Sequence, residues 1–321
     1  MAFSCVKSSA GRESAGVPDS SSARRAVACA FAYWYAGMSV FDAISHSFAT
    51  VAIGGFSTHD ASMGFFNSPA IEAVACVFMV LSGINFGLHF LVWRRKDLRL
   101  YLADHEVRTY FLMLLFVGFA VVSILLNTPD TQDSALRHGI FQTISFATTT
   151  GFVTENVSQW PAAAPTLLLL AAFAGGCAGS TAGGIKLVRV LMIYLQGMRE
   201  VRRLIHPNGV FPIKLGKTPV SDRLIESVWS FFSVYVLIFL LSVTVIMLSS
   251  DLDFLTAFSA VGATLNNLGP GEVLSAVKVL LCLDLFASFP LVLAAAPAML
   301  RCVLEAPRRG ERGGGPLIAS R

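Results

Sequence analysis

The stretch Ser145-Phe146-Ala147-Thr148-Thr149-Thr150-Gly151-Phe152 decides the fold. A short apolar segment leads into a polar Thr-Thr-Thr-Gly run, and a longer apolar segment follows, which is the order of a pore loop. A helix that dips into a bilayer and stops must return as non-helical backbone. Such backbone survives at membrane depth only where it is buried in protein or lines a watery cavity. The carbonyls freed there can coordinate a cation. Nearly the same wording occurs upstream at Ser47-Phe48-Ala49-Thr50-Val51-Ala52-Ile53-Gly54-Gly55-Phe56. A looser version follows downstream at Phe258-Ser259-Ala260-Val261-Gly262-Ala263-Thr264-Leu265-Asn266-Asn267-Leu268-Gly269. The chain reads as a tandem repeat.

Composition places these segments in a membrane. Of 321 residues, 55% are hydrophobic and 14% charged, with a mean hydropathy of +0.66, whereas soluble domains carry about 25% charged residues. The apolar runs approach the roughly 20 residues that span a bilayer. The six cysteines (Cys5, Cys29, Cys76, Cys177, Cys282, Cys302) are scattered, without Cys-x-x-Cys spacing or a His partner, and read as small core residues. The net charge of +4 matters less than the placement of Lys and Arg, since short basic loops mark the cytoplasmic side.

Taken outward from the central loop, the sequence divides as follows. Residues 1–24 read as a Ser-rich, disordered tail. Residues 25–94 form a pore repeat with a short first helix from Ala26 to about Met38. Its pore helix opens at Phe41-Asp42-Ala43, with Asp42 as the capping side chain, a polar loop covers 57–68, and Pro69–Trp93 reads as one unbroken span. The basic loop 94–108 belongs in the cytoplasm. Residues 109–198 form the second repeat, with Tyr110–Leu126 crossing back, Ser134–Ala147 as pore helix, and the Lys- and Arg-free segment 153–161 outside. Its second crossing, Ala162–Ala174, is interrupted by Gly175-Gly176-Cys177-Ala178-Gly179-Ser180-Thr181-Ala182-Gly183-Gly184. At about 1.5 Å per residue the first half reaches only about 20 Å, so the helix breaks inside the membrane. Five glycines in ten residues exceed what a small-residue packing face needs. The second basic loop, 199–223, carries Arg199, Arg202, Arg203, Lys214, Lys217 and Arg223 and is again cytoplasmic. Residues 224–300 form a third repeat, with a pore helix at Asp253–Ala263 and an atypical last helix interrupted by Asp284, Pro290 and Pro297. The Arg/Gly-rich end, 301–321, reads as a second disordered tail.

The unit of helix, pore helix, filter and helix is the plan of a K⁺-channel subunit, giving an all-α integral membrane protein with three tandem repeats. Four motifs then carry a family resemblance. They are Phe48-Ala49-Thr50-Val51-Ala52-Ile53-Gly54-Gly55-Phe56-Ser57-Thr58-His59-Asp60, the Gly175–Gly184 run continuing into Ile185-Lys186, His206-Pro207-Asn208, and Leu265-Asn266-Asn267-Leu268-Gly269-Pro270-Gly271. In family order, over residues 35 to 271, they resemble the TrkH family, the membrane subunits of bacterial Trk potassium uptake systems within the wider Trk/Ktr/HKT group.

The resemblance implies K⁺ transport through a pseudo-fourfold pore in the bacterial inner membrane, with Na⁺ or H⁺ as candidate coupling ions. It implies K⁺ as substrate, no other cofactor, no enzymatic activity and no nucleic-acid partner. The filter carbonyls it assigns lie at Ala52, Ile53 and Gly54, at Thr149, Thr150 and Gly151, and at Asn266, Asn267, Leu268 and Gly269. Matching Gly55-Phe56 to Gly151-Phe152 instead makes Gly55 the filter glycine, and the sequence leaves the two alignments open. Carbonyl rings replace an ion's hydration shell, and Gly allows the positive φ that turns successive carbonyls inward. The gate is implied at Gly175, Gly176, Gly179, Ser180, Thr181, Gly183 and Gly184. Lys186 is read either as a fixed charge beside the ion path or as an ammonium that snorkels to the interface. His46 and His89 read as packed side chains. Homodimerisation and a TrkA-like nucleotide-binding regulator on the cytoplasmic face are the implied partners.

Two departures qualify the resemblance. The family has a further repeat before the region matched here, and its last helix usually carries an Arg followed by a Glu, absent from Leu280–Leu300. A shortened or frame-shifted gene product accounts for both ends together. The alternative reading is therefore a non-conducting family member that keeps the membrane fold. An enzyme is the weakest reading, because no nucleophile, base and acid sit at a common depth.

Overall fold

The computed structural model describes residues 20–207, 209, 211–216, 218–250 and 252–268, all within one compact unit. Gly269, Asn208, Lys217, Asp284, the last helix expected at 272–300, and the tails at 1–19 and 301–321 lie outside the described residues.

Repeat A begins with α1 (Ser20–Tyr35), followed by the pore helix α2 (Val40–Val51) and an inner helix in two pieces, α3 (Pro69–Ser82) and α4 (Phe86–Arg95). A short helix α5 (Arg99–Ala103) leads into repeat B, formed by α6 (His105–Leu126), the pore helix α7 (Ala135–Ala147), and the divided inner helix α8 (Ala163–Ala174) and α9 (Leu187–Ile205). A two-stranded hairpin, β1 (Lys214–Leu215) and β2 (Thr218–Pro219), precedes repeat C, of which α10 (Asp222–Ser249) and the pore helix α11 (Phe254–Leu265) are described. Among the described residues α6 and α10 are each long and apolar enough to cross a bilayer, with α3 and α4 as a bent third candidate.

Several expectations are corrected. Ser20–Arg24, assigned to the tail, is helical, and Arg24 and Arg25 lie over the rings of Trp93 and Phe86 at 4.8 and 4.1 Å, a packing role for cations on aromatic faces. Ser39 rather than Asp42 caps α2, its Oγ accepting from the Asp42 amide at 3.1 Å while donating to the Asp42 carboxylate at 2.7 Å. The single span expected at Pro69–Trp93 is two helices bent by 94°. Gly83 ends α3, and the Asn85 side chain starts a new helix by accepting from the Gly87 amide at 2.8 Å. The pore helix expected to end at Ala263 runs on through Thr264 and Leu265 in α11. Arg199, Arg202 and Arg203, placed in a loop, ride on the last turns of α9.

Packing follows the repeat. Pore helix α7 lies between α6, α8 and α3, and pore helix α11 between α10 and α8, so each inner helix supports the pore helix of the next repeat. Two polar segments expected outside meet one another, with the Gly64 amide donating to Val153 O at 3.0 Å and the Val153 amide to Ser62 Oγ at 3.3 Å. The two basic segments also meet, since a Cβ on Gly216 would come within 2.9 Å of the His105 ring. Loops paired by charge are thus paired in space.

Candidate functional site

The three pore helices end alike. At each C-terminus one residue enters the left-handed region: Ile53 (φ 56°), Thr149 (φ 62°) and Asn267 (φ 51°). Its amide donates to the carbonyl three residues back, at 3.2 Å to Thr50, 2.9 Å to Phe146 and 3.1 Å to Thr264. The next amide, that of Gly54, Thr150 or Leu268, donates five residues back to Ala49, Ser145 or Ala263, each at 2.8 Å. This is a Schellman ending, which normally takes Gly at the left-handed position. Ile and Thr there are β-branched residues in a conformation they rarely adopt, and such strain is held only where the surroundings over-determine it.

This repeated backbone sets the register. Ala52, Ile53, Gly54 and Gly55 correspond to Thr148, Thr149, Thr150 and Gly151, and to Asn266, Asn267, Leu268 and the position of Gly269. Gly55 (φ 67°), not Gly54, is therefore the counterpart of Gly151 (φ 82°). Its backbone also packs tightly on the second segment, where a Cβ on Gly55 would lie 2.0 Å from Thr150 O. None of the hydrogen bonds among the described residues ends on the carbonyls of Ala52, Ile53 and Gly54 or of Thr149, Thr150 and Gly151. These acceptors follow helix C-termini, whose partial negative charge favours a cation.

Side chains brace the segments from behind. Ser145 Oγ donates to Phe152 O at 2.7 Å, Tyr33 Oη and Thr50 Oγ1 lie 2.7 Å apart, and Tyr235 Oη donates to Asn266 Oδ1 at 2.9 Å. His46 is packed, as expected of it. Its Nδ1 donates to Asp42 O at 2.8 Å, leaving Nε2 to accept from Ser57 Oγ at 2.9 Å. Likewise His89 Nε2 donates to Leu81 O at 2.8 Å and Nδ1 accepts from Tyr101 Oη at 2.7 Å. Hydrogen bonds from Thr58 and Ser39 hold the Asp42 carboxyl below the usual carboxylate range. Among the described residues no His, Cys, Asp and Glu side chains converge as a metal site.

The Gly-rich segment lies against the C-terminal ends of all three pore helices. The Gly183 amide donates to Thr149 Oγ1 at 2.6 Å, and a Cβ on Gly183 would lie 1.8 Å from Asn266 O. Thr181 Oγ1 donates to Val51 O at 3.1 Å. Gly175 (φ 64°), Gly179 (φ 74°) and Gly184 (φ 74°) take backbone conformations suited to Gly. At Gly176 a Cβ would lie 2.9 Å from Gly83 O, the break in repeat A. Ser180 Oγ donates to Cys177 O at 2.6 Å. Lys186 turns back into the segment and donates to the carbonyls of Ser180 and Ala182.

Sequence reasoning missed two carboxylates. Glu72, inside the stretch taken as wholly apolar, is 4% exposed and pairs with Arg137 through two contacts, Nε to Oε2 at 2.8 Å and Nη2 to Oε1 at 2.7 Å. The pair joins α3 to α7 across the repeats, and Arg137 also reaches Asn67 Oδ1 at 3.0 Å. A lone acid in an apolar run was the available signal. Glu106, 3% exposed at the start of α6, accepts from the Ala178 amide at 2.5 Å.

Comparison with known proteins agrees with this geometry. A family model described as TrkH, cation transport protein, matches residues 25–273. The chain is 49% identical over 248 residues to the Trk system potassium uptake protein TrkH of Escherichia coli K12, covering 76% of this chain and 51% of that protein. It is 51% identical over 247 residues to the Halomonas elongata protein of the same name, with the same coverage of 76% and 51%. The crystal structure of the potassium transporter TrkH from Vibrio parahaemolyticus superposes with a TM-score of 0.78 at 43% identity, over 85% of this chain and 61% of that one. The chain spans about half the length of the curated relatives it matches. With its tandem pore-helix fold and its place in the bacterial inner membrane, the chain belongs to the TrkH family of cation transport proteins.

Proposed function

We propose that the protein is the membrane subunit of a potassium uptake system, passing K⁺ along the carbonyls of its filter segments. The observation that carries this reading is the repeated Schellman ending, which leaves the carbonyls of Ala52, Ile53 and Gly54 and of Thr149, Thr150 and Gly151 free of hydrogen bonds among the described residues. Carbonyl oxygens substitute for the hydration shell of a K⁺ ion. In this role Gly175–Gly184 gates the path below the filter, and Lys186 holds the gate in shape. Named relatives are Trk system potassium uptake proteins, which supports K⁺ as the substrate.

K⁺-limited growth of cells lacking their own uptake systems tests this reading. Transport predicts that the protein restores growth and that Gly151→Ser erodes preference for K⁺ over Na⁺. No growth from a protein shown to be in the membrane would count against it.

For partners, we infer a homodimer and a nucleotide-binding regulator docked on the basic cytoplasmic face around Arg202 and Arg203, both exposed on α9. Charge reversal at both positions should weaken co-purification of such a regulator about tenfold or more, as loss of close charge pairs does at other interfaces. Unchanged co-purification would move the docking surface elsewhere.

A further inference from the structure

We propose that Glu106 is a positioning residue that anchors the gate loop to the cytoplasmic end of α6 through its hydrogen bond to the Ala178 amide. The proposal rests on the reading of Gly175–Gly184 as the gate and adds the group that holds it.

Glu106 lies in a stretch whose charges otherwise face water. It follows the capping residue Asp104, whose Oδ1 accepts from the Glu106 amide at 2.8 Å and the Val107 amide at 3.3 Å. Despite this position its side chain is 3% exposed. Burying a carboxylate is costly unless hydrogen bonds replace water, and the Ala178 amide at 2.5 Å is one such replacement. A bond to an ionised acceptor is about twice as strong as a neutral one.

The loop is otherwise held by backbone contacts, by hydroxyls and by the Lys186 ammonium on the carbonyls of Ser180 and Ala182. Cys177 N donates to Gly83 O at 2.9 Å, Phe86 N to Gly179 O at 3.0 Å, and Gly183 N to Thr149 Oγ1 at 2.6 Å. Glu106 differs from these in its address. It is adjacent to His105, against which the hairpin turn at Gly216 is packed. One short segment thus touches the cytoplasmic hairpin with one residue and the gate loop with the next. A displacement of the hairpin therefore reaches Ala178 through the packing on His105, one peptide bond and the Glu106 hydrogen bond.

Cys177 reports on the anchor directly, because it neighbours Ala178 and is fully buried. Cys29, also fully buried, lies in α1 and serves as internal control. The experiment is maleimide labelling of the purified full chain, resolved by site with peptide mass spectrometry. Glu106→Ala should speed labelling of Cys177 about tenfold or more, the size expected for losing a hydrogen bond to a charged group, with Cys29 unchanged. Glu106→Gln keeps an oxygen at the same reach but makes the acceptor neutral, and its labelling rate should fall between those of the parent and Glu106→Ala. The proposal is overturned if Cys177 stays protected in Glu106→Ala, if Cys29 becomes reactive in parallel, or if Glu106→Gln behaves as Glu106→Ala. K⁺ flux is read on the same samples. Absence of flux throughout, with Cys177 released by Glu106→Ala, supports the anchor and counts against the transport reading alone.

Discussion

The inner helices of repeats A and B are both interrupted, and the interruptions touch, yet they are built on opposite principles. In repeat A three residues, Gly83-Ile84-Asn85, separate two helices that turn by 94°. The turn is made by a side-chain cap, and no residue in it needs a left-handed backbone. In repeat B the break runs from Gly175 to Lys186, with positive φ at Gly175, Gly179, Gly184 and Lys186. It reaches the ends of all three pore helices, with Gly183 pressed on the Asn266 backbone and on the Thr149 hydroxyl and the Thr181 hydroxyl on the Val51 carbonyl. A break that only redirects a helix can be made from a cap, whereas a break that must fit against the ends of three pore helices needs residues without side chains.

The contrast is broken most severely at Gly183. A Cβ there would meet the Asn266 carbonyl at 1.8 Å, and neither backbone can withdraw without moving the end of α11. Gly183→Ala should cost about 3 kcal/mol, read as the unfolding midpoint in mixed micelles. A smaller effect is expected at Gly83, where the nearest atom is the Tyr110 hydroxyl at 2.4 Å, the end of a side chain. Gly83→Ala should cost about 1.5 kcal/mol, and adding Tyr110→Phe should recover part of it. The same second change should do nothing for Gly183→Ala. The smallest effect is Asn85→Ala, which removes the cap on α4 and should cost about 1 kcal/mol. Equal losses at Gly183 and Gly83 would erase the distinction between the two breaks.

The same contrast explains what was legible in the sequence. Pore helices announced themselves because each apolar segment stops at a polar or Gly-bearing run, and the Gly175–Gly184 break because five glycines cluster. The break at Gly83-Ile84-Asn85 was hidden, since one glycine and one asparagine barely lower the hydropathy of the surrounding run. Glu72 and Arg137 are 65 residues apart, and only the packing of α3 on α7 makes them a pair. Glu106 was read with its exposed neighbours, because burial of one residue at a helix start depends on a loop 72 residues away. The choice between Gly54 and Gly55 was undecidable from wording alone, since both precede Phe56. It is decided by which residue of the Schellman ending turns left-handed.

That register supplies the most direct test of the claim that the filter carbonyls are the cation site. A ligand that binds only the folded state stabilises it, by about 2.7 kcal/mol at a hundredfold excess over its dissociation constant. The measurement is the unfolding midpoint of the purified protein in KCl and in NaCl at equal ionic strength, for the parent, Gly54→Ala and Gly55→Ala. At Gly54 a Cβ meets a Phe56 ring carbon at 3.3 Å, whereas at Gly55 it meets Thr150 O at 2.0 Å from a left-handed backbone. The account predicts a higher midpoint in KCl for the parent, retained in Gly54→Ala and lost in Gly55→Ala. Equal midpoints in the two salts for the parent, or a K⁺ effect that survives Gly55→Ala, would contradict it.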